Sequence, residues 1–187
     1  MSTIDHVFVT KIYRMILRGK TIQSLNRDLL RAAEAFALDD EAGRAWSDQK
    51  SYGGYTSYAS LDDLTWRSPE FAELQQHLDR HVATFAKDLD FDLGGVPLAL
   101  SSIWVNLLDP GGAHGAHIHT HSVISGTYYV DIPEGAGAIR FEDPRHGFMM
   151  AAPPRRTKAR KENQTFVSIS PKPGMLLMWE SWLRHEV

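Results

Sequence analysis

The chain contains no cysteine. Disulfides, thiolate nucleophiles and thiolate metal ligands are thereby excluded, and any metal must be held through nitrogen and oxygen. No apolar run approaches the roughly 18 residues that a membrane-spanning helix needs. The opening MSTIDHVFVTK lacks the basic-then-apolar order of a secretory leader, so a cytoplasmic location is the expectation. Positive charge is not in excess either. A net charge of −3 argues against a general nucleic-acid or anionic-membrane partner, while leaving room for a local basic patch. Internal repeats are absent. What remains is ordinary globular composition over 187 residues, enough for a single domain, 1–187, with its own core.

Two textures divide that domain. Residues 1–97 read as a helical support and residues 98–187 as strands and turns. An apolar stretch over 4–17 suits an opening strand added to a sheet edge. Thr21 is placed to cap a helix whose apolar face is Ile22, Leu25, Leu29 and Phe36. Residues 43–60, with Gly43, Gly53 and Gly54, read as a loop. The clearest helix follows Ser68, an N-cap residue, with Pro69 in the first turn and Glu70 complementing the helix dipole. Phe71, Leu74, Leu78, Val82, Phe85 and Leu89 then fall on one face, which predicts packing on a sheet; Gly94-Gly95 and Pro97 stop the helix. Beyond lie short apolar runs, 101–108, 117–132, 138–143, 165–170 and 175–180, separated by turns at DPGG, PEGAG and PKPG. Such spacing predicts a sandwich or barrel.

Nine histidines are present, and four of them crowd into eight residues: His114, His117, His119 and His121. On a strand, residues i and i+2 share a face, so His117, His119 and His121 would point one way. Two such imidazoles chelate one ion, and a third ligand from elsewhere completes a facial set with open positions. The rival reading is a solvated His-rich loop. Imidazole alone does not choose among Fe, Zn, Cu and Ni. His77 and His81 are spaced i, i+4 on the helix, but nothing nearby offers a third ligand. His6 and His146 carry no spacing signal.

At HIHTHSVISGTYYV (117–130), GAIRFEDP (137–144) and SPKPGMLLMWESWLRHEV (170–187), the chain resembles the 2-oxoglutarate/Fe(II)-dependent oxygenases. It is most similar to a bacterial and phage subgroup with a helical N-terminal segment. NRDLL, YGGYTS and SPEFAELQQHL also resemble that subgroup. The last block resembles the close of prolyl-hydroxylase-type enzymes, where a Pro-x-x-Gly turn precedes an apolar strand, a short loop and the distal histidine. The resemblance implies an α+β fold, mainly β with N-terminal helices, around a double-stranded β-helix (a cupin-like jelly roll). It implies Fe(II) held by His117, His119 and His185, with 2-oxoglutarate as cosubstrate and hydroxylation of an unassigned substrate as the reaction. The usual superfamily pattern is His-x-Asp/Glu followed by His; here His119 stands at the carboxylate position, and the subgroup itself resembles this H-x-H form. A pairing of His119 with His121, or His117 and His185 completed by water, stays open.

In the superfamily the far carboxylate of 2-oxoglutarate meets an Arg or Lys beyond the distal histidine, helped by a Tyr or Thr. Tyr129 matches that tyrosine. The basic residue is expected beyond Val187, together with a last strand, and Arg140 is a substitute within the chain. Asn106 is a candidate cosubstrate contact or a buried turn-side amide. Trp104, Trp179 and Trp182 read first as core or interface residues. Ser125-Gly126 allows either a close backbone approach near the metal or a bulge. Residues 145–163 form a long loop with Arg155, Arg156, Lys158, Arg160 and Lys161. That loop is either a solvated segment or a surface for an acidic substrate. A homodimer is compatible with the sequence. Two rival functions remain: a three-histidine metal oxygenase or cupin-like enzyme without 2-oxoglutarate, and a non-catalytic metal-binding barrel.

Overall fold

The computed structural model describes residues 1–145, 147 and 150–187. His146 therefore lies outside the described residues, as does part of the expected 145–163 loop. The fold is α+β, with antiparallel sheets and helices gathered in the first half of the chain.

β1 (Ile12–Ile16) opens the chain and pairs antiparallel with β7 (Met175–Glu180), whose other neighbour is β4 (Ile124–Tyr128). β7 is thus the centre of a three-stranded sheet. Its inner face, Met175, Leu177 and Trp179, packs with Ile139 and Phe141 of β5 (Ile139–Glu142) and with Leu183. Its outer face, Leu176 and Met178, packs under Phe85 of α4 (Pro69–Asp88). Burial on both faces explains why this strand reads as the unbroken apolar run MLLMW rather than as an alternation. β5 belongs to a second sheet, ordered β6 (Phe166–Ile169), β5, β8 (His185–Glu186).

α1 (Lys20–Asp39) buries Leu25, Leu29 and Ala33 against Leu64, Phe71, Leu74 and Val105. Asn26 ties it to the sheet: its amide donates to Val130 O (3.2 Å) and accepts from Tyr128 Oη (2.7 Å). Leu64 begins the single-turn α3 (Leu64–Arg67). The N-terminal half of α4 therefore meets α1, and its C-terminal half meets the sheet. The predicted sheet partner accounts for that second half only.

Several local expectations are corrected. Residues 43–60 are not a loop: they hold most of α2 (Glu41–Gln49) and all of β2 (Gly54–Thr56), which pairs with β3 (Asn106–Leu108). Gly43 is helical because its missing side chain makes room for Asp40; a Cβ there would lie 2.1 Å from Asp40 Oδ2. That buried carboxylate accepts from Gly43 N (3.0 Å) and Tyr55 Oη (2.8 Å) and so caps α2 and fastens β2 to it. α1 starts after Gly19 rather than at a Thr21 cap. Ser68 precedes α4 as expected, but its hydroxyl donates to the Glu70 carboxylate and makes no cap bond. The end of α4 is set by Asp90, not Gly94-Gly95. Asp90 is left-handed (φ 55), and Asp90 and Phe91 donate to Lys87 O and Ala86 O, the paired bonds of a Schellman stop. Only 106–108 of the expected 101–108 strand is regular, because Val105 is bound instead to the Ser57 backbone and hydroxyl. No helix of the described residues is long and apolar enough to cross a membrane.

Candidate metal centre

The C-terminal segment runs between two partners. On one side β8 pairs with β5, placing His185 opposite Phe141 and Glu186 opposite Arg140. On the other it pairs with the histidine segment. His117 and His185 exchange both backbone bonds (2.9 and 3.1 Å), and His114 and Val187 do the same (2.8 and 3.0 Å). His119 N donates to Ser181 O (3.1 Å). This ladder brings together residues that are 62–73 positions apart in the sequence. His185 itself is buried with only 4% exposure.

The three side chains converge. His117, His119 and His185 each offer one nitrogen, and these atoms all lie within 4.8 Å of one another. The backbone sets two of the tautomers. His117 Nδ1 donates to Gly115 O (2.7 Å) and His185 Nδ1 donates to Leu183 O (2.8 Å), since a carbonyl can only accept. Each ring therefore presents its Nε2 lone pair, as a metal-ligating histidine must. The His185 Nε2 faces His119 Nε2 at 3.3 Å. A lone pair at that distance needs either a proton on the other nitrogen or a shared cation. With bonds of about 2.1 Å, two nitrogens on one ion lie about 3.0 Å apart at right angles and about 3.4 Å apart at the tetrahedral angle. The donor set fits a divalent transition metal on chemistry and on spacing.

Electrostatics point the same way. Burial pushes His185 down to about 4, an effect reinforced by His117, His119 and His114 and opposed by the Leu183 carbonyl. Burial, with His117 and His119, pushes His114 down to about 4. His119 is lowered by burial and then by His117. These imidazoles are neutral at pH 7, the form that binds metal. No carboxylate is in the group, so a bound divalent ion would keep its full charge rather than lose part of it to a ligand.

Surrounding rings hold the ligands in place. His114 stacks on His117 (centroids 4.2 Å, 14° between planes) and stands edge-on to Tyr52 (5.4 Å). Trp104 lies against His119 (5.8 Å) and continues outward to Tyr58 (5.2 Å). Trp179 meets His185 edge to face at 4.5 Å. His114 and Tyr52 were not assigned a role from sequence. The i, i+3 spacing of HGAH suits a helix face, but the segment is not helical, and a bend at Ala116 accompanies the stacking of the first ring on the second.

Other expectations fare differently. His121 takes a left-handed backbone (φ 67) in a turn and is exposed, so it does not share the face of His117 and His119. His81 bonds Tyr13 Oη (2.7 Å), fastening α4 to β1. Tyr129 packs into the apolar interior beside Ile139 and Trp179, and burial pushes its hydroxyl up to about 12. Asn106 accepts from Thr56 Oγ1 (2.7 Å) across the β2–β3 pair. Arg140 lies on the face of the sheet opposite Phe141; it pairs with Glu186 and sits 4.5 Å above the Phe166 ring. His185, paired with Phe141, occupies the other face. The close approach at Gly126 is to β7, where a Cβ would lie 2.6 Å from Leu177 O, and not to the metal group.

Residues 102–187 match a family model described as "Putative 2OG-Fe(II) oxygenase". The matched segment contains all three converging histidines. No curated protein matches the chain.

Proposed function

We propose that this chain is an Fe(II)- and 2-oxoglutarate-dependent oxygenase whose metal is held by His117, His119 and His185, on a double-stranded β-helix core. The observation that carries the reading is the convergence of three imidazoles, two with their Nδ1 protons tied to carbonyls, within the segment that matches the oxygenase family model. Bound iron with 2-oxoglutarate and O₂ supplies oxidation of a C–H bond, coupled to decarboxylation of the cosubstrate. The chain's own residues orient and shield. Gly115 O and Leu183 O fix which nitrogen each ring presents. His114, Trp104 and Trp179 brace one ring each and limit water at the ligands. Tyr129 is assigned to the cosubstrate's far carboxylate as a hydrogen-bond donor; burial keeps its phenol protonated. Asn106 is assigned as a cosubstrate contact on resemblance alone.

One observation favours the rival three-histidine oxygenase without 2-oxoglutarate: Arg140 is already engaged by Glu186. Anaerobic titration with Fe(II) and then 2-oxoglutarate separates the two. The proposal expects a metal-to-cosubstrate charge-transfer band that is lost on admitting O₂ and is absent in His117→Ala. Oxygen uptake that ignores 2-oxoglutarate would establish the rival.

A further inference from the structure

We infer that segment 153–163 is a recognition site for a small substrate bearing a compact dianionic group, with phosphate as the group its side chains suit. As a statement about substrate, this rests on the oxygenase reading; as a statement about anion binding, it stands alone. The segment bounds a hollow of about 410 Å³ lined by Arg155, Arg156, Lys158, Arg160 and Asn163. These four cations are exposed. Arg160 has a neighbour in Glu162 (3.3 Å), and Arg155 acts on Asp143, which Arg145 already holds. Arg156 and Lys158 have no ion-pair partner among the described residues. The chain as a whole has a net charge of −3, so the positive sign here is local. Like charges facing one hollow repel, and a bound anion relieves that repulsion.

The hollow is framed by specific bonds. Arg145 clasps Asp143 with two nitrogens (2.8 and 2.7 Å) and donates to Glu162 O (3.0 Å). Asp143 N donates to Thr165 O (2.8 Å), closing the foot of the excursion. Ala159 N donates to Arg156 O (2.9 Å), and Gln164 Nε2 donates to Ala159 O (2.9 Å). The cations are thus presented on turns, which lowers the ordering cost of binding. Planar guanidinium forks meet phosphate with two parallel bonds each. The hollow falls within the volume range of small-ligand pockets, roughly 300–1,000 Å³. A nucleic acid would call for a longer basic stripe; here the unpaired cations are confined to one hollow.

Backbone pairing links the foot of this excursion to the histidine group. The foot of the excursion, Asp143, directly follows β5 and is two residues beyond Phe141, the register partner of His185. At about 3.3 Å per residue, that foot is roughly 7 Å along the strand from the ligand's level. Glu142 N donates to Arg184 O (3.0 Å), so the foot is stitched to the residue before His185.

The test is calorimetric titration of phenyl phosphate into the Co(II)-loaded full chain, with the cobalt absorption recorded at each addition. The comparison variant is Arg155→Gln/Arg156→Gln/Lys158→Gln, whose positions are exposed. Saturable binding with an unchanged cobalt spectrum, weakened about tenfold or more in the triple variant, is the expected result. Equal binding in both proteins, no saturation, or a cobalt shift on adding phosphate would overturn the assignment. A hexaglutamate peptide that binds while phenyl phosphate does not would overturn it in favour of an acidic protein partner. Failure to load cobalt would sink the oxygenase reading instead; the wild-type and triple-variant titrations still judge the anion site.

Discussion

Trp179 offers the sharpest check on the packing around the metal centre. It is 2% exposed, and its Nε1–H finds no acceptor among the described residues. It sits edge-on to Phe141 at 5.1 Å and to His185 at 4.5 Å. An unpaired buried donor costs about 1–3 kcal/mol. Replacing Trp179 by Phe removes that donor along with roughly 40 Å³ of side chain, worth about 1 kcal/mol of cavity cost at about 24 cal/mol per Å³. Lost burial of the smaller ring adds about 1 kcal/mol. The two effects nearly cancel, so Trp179→Phe should change stability by no more than about 1 kcal/mol. Trp179→Ala keeps the relief but empties the site and should cost about 3–5 kcal/mol. The assay is urea unfolding of the metal-free protein at pH 7, followed by circular dichroism with the m-value held under watch. A loss above about 2.5 kcal/mol in Trp179→Phe would refute the reasoning, because it would mean the indole N–H is satisfied in the folded protein.

Three further outcomes are expected. His117→Ala, His119→Ala and His185→Ala should each abolish stoichiometric Co(II) binding, read by absorption, whereas His121→Ala should leave it intact because that ring is turned away. His114 and His185 are held at about 4 in the folded state, below the unfolded value near 6.5. The unfolded chain therefore binds more protons in that interval, so the metal-free protein should lose stability as pH falls from about 6.5 towards about 4. Thermal melts at pH 7 and pH 5 check this, and equal midpoints would contradict it. Asp40→Ala should cost about 2–4 kcal/mol in denaturant unfolding, since it removes the α2 cap and strands Tyr55 Oη in the interior.

Local chemistry was legible in the sequence wherever a short segment decides its own conformation. The apolar stripe from Phe71 to Leu89 marked α4, the MLLMW run marked a strand, and the PEGAG and PKPG turns separated strands as expected. The H-x-H pair and the distal histidine were legible too, partly through chelate spacing and partly through resemblance. Region 43–60 was misread because small polar residues look like loop; Asp40, buried against Gly43, Tyr55 and Ser60, overrides that composition through tertiary bonds.

What only the folded chain decided is which side chains meet. Strand alternation put His121 beside His119, but one left-handed residue turned it away. Arg140 looked available until β5 paired with β8 and set it against Glu186, on the face opposite His185. The stack of His114 on His117 goes with the second ladder, in which His117 pairs with His185 and His114 with Val187. Sequence period specifies which face of a strand a residue occupies. The partner across the ladder comes from whichever distant segment closes the sheet, and that is settled by burial of the whole core rather than by neighbours in the chain.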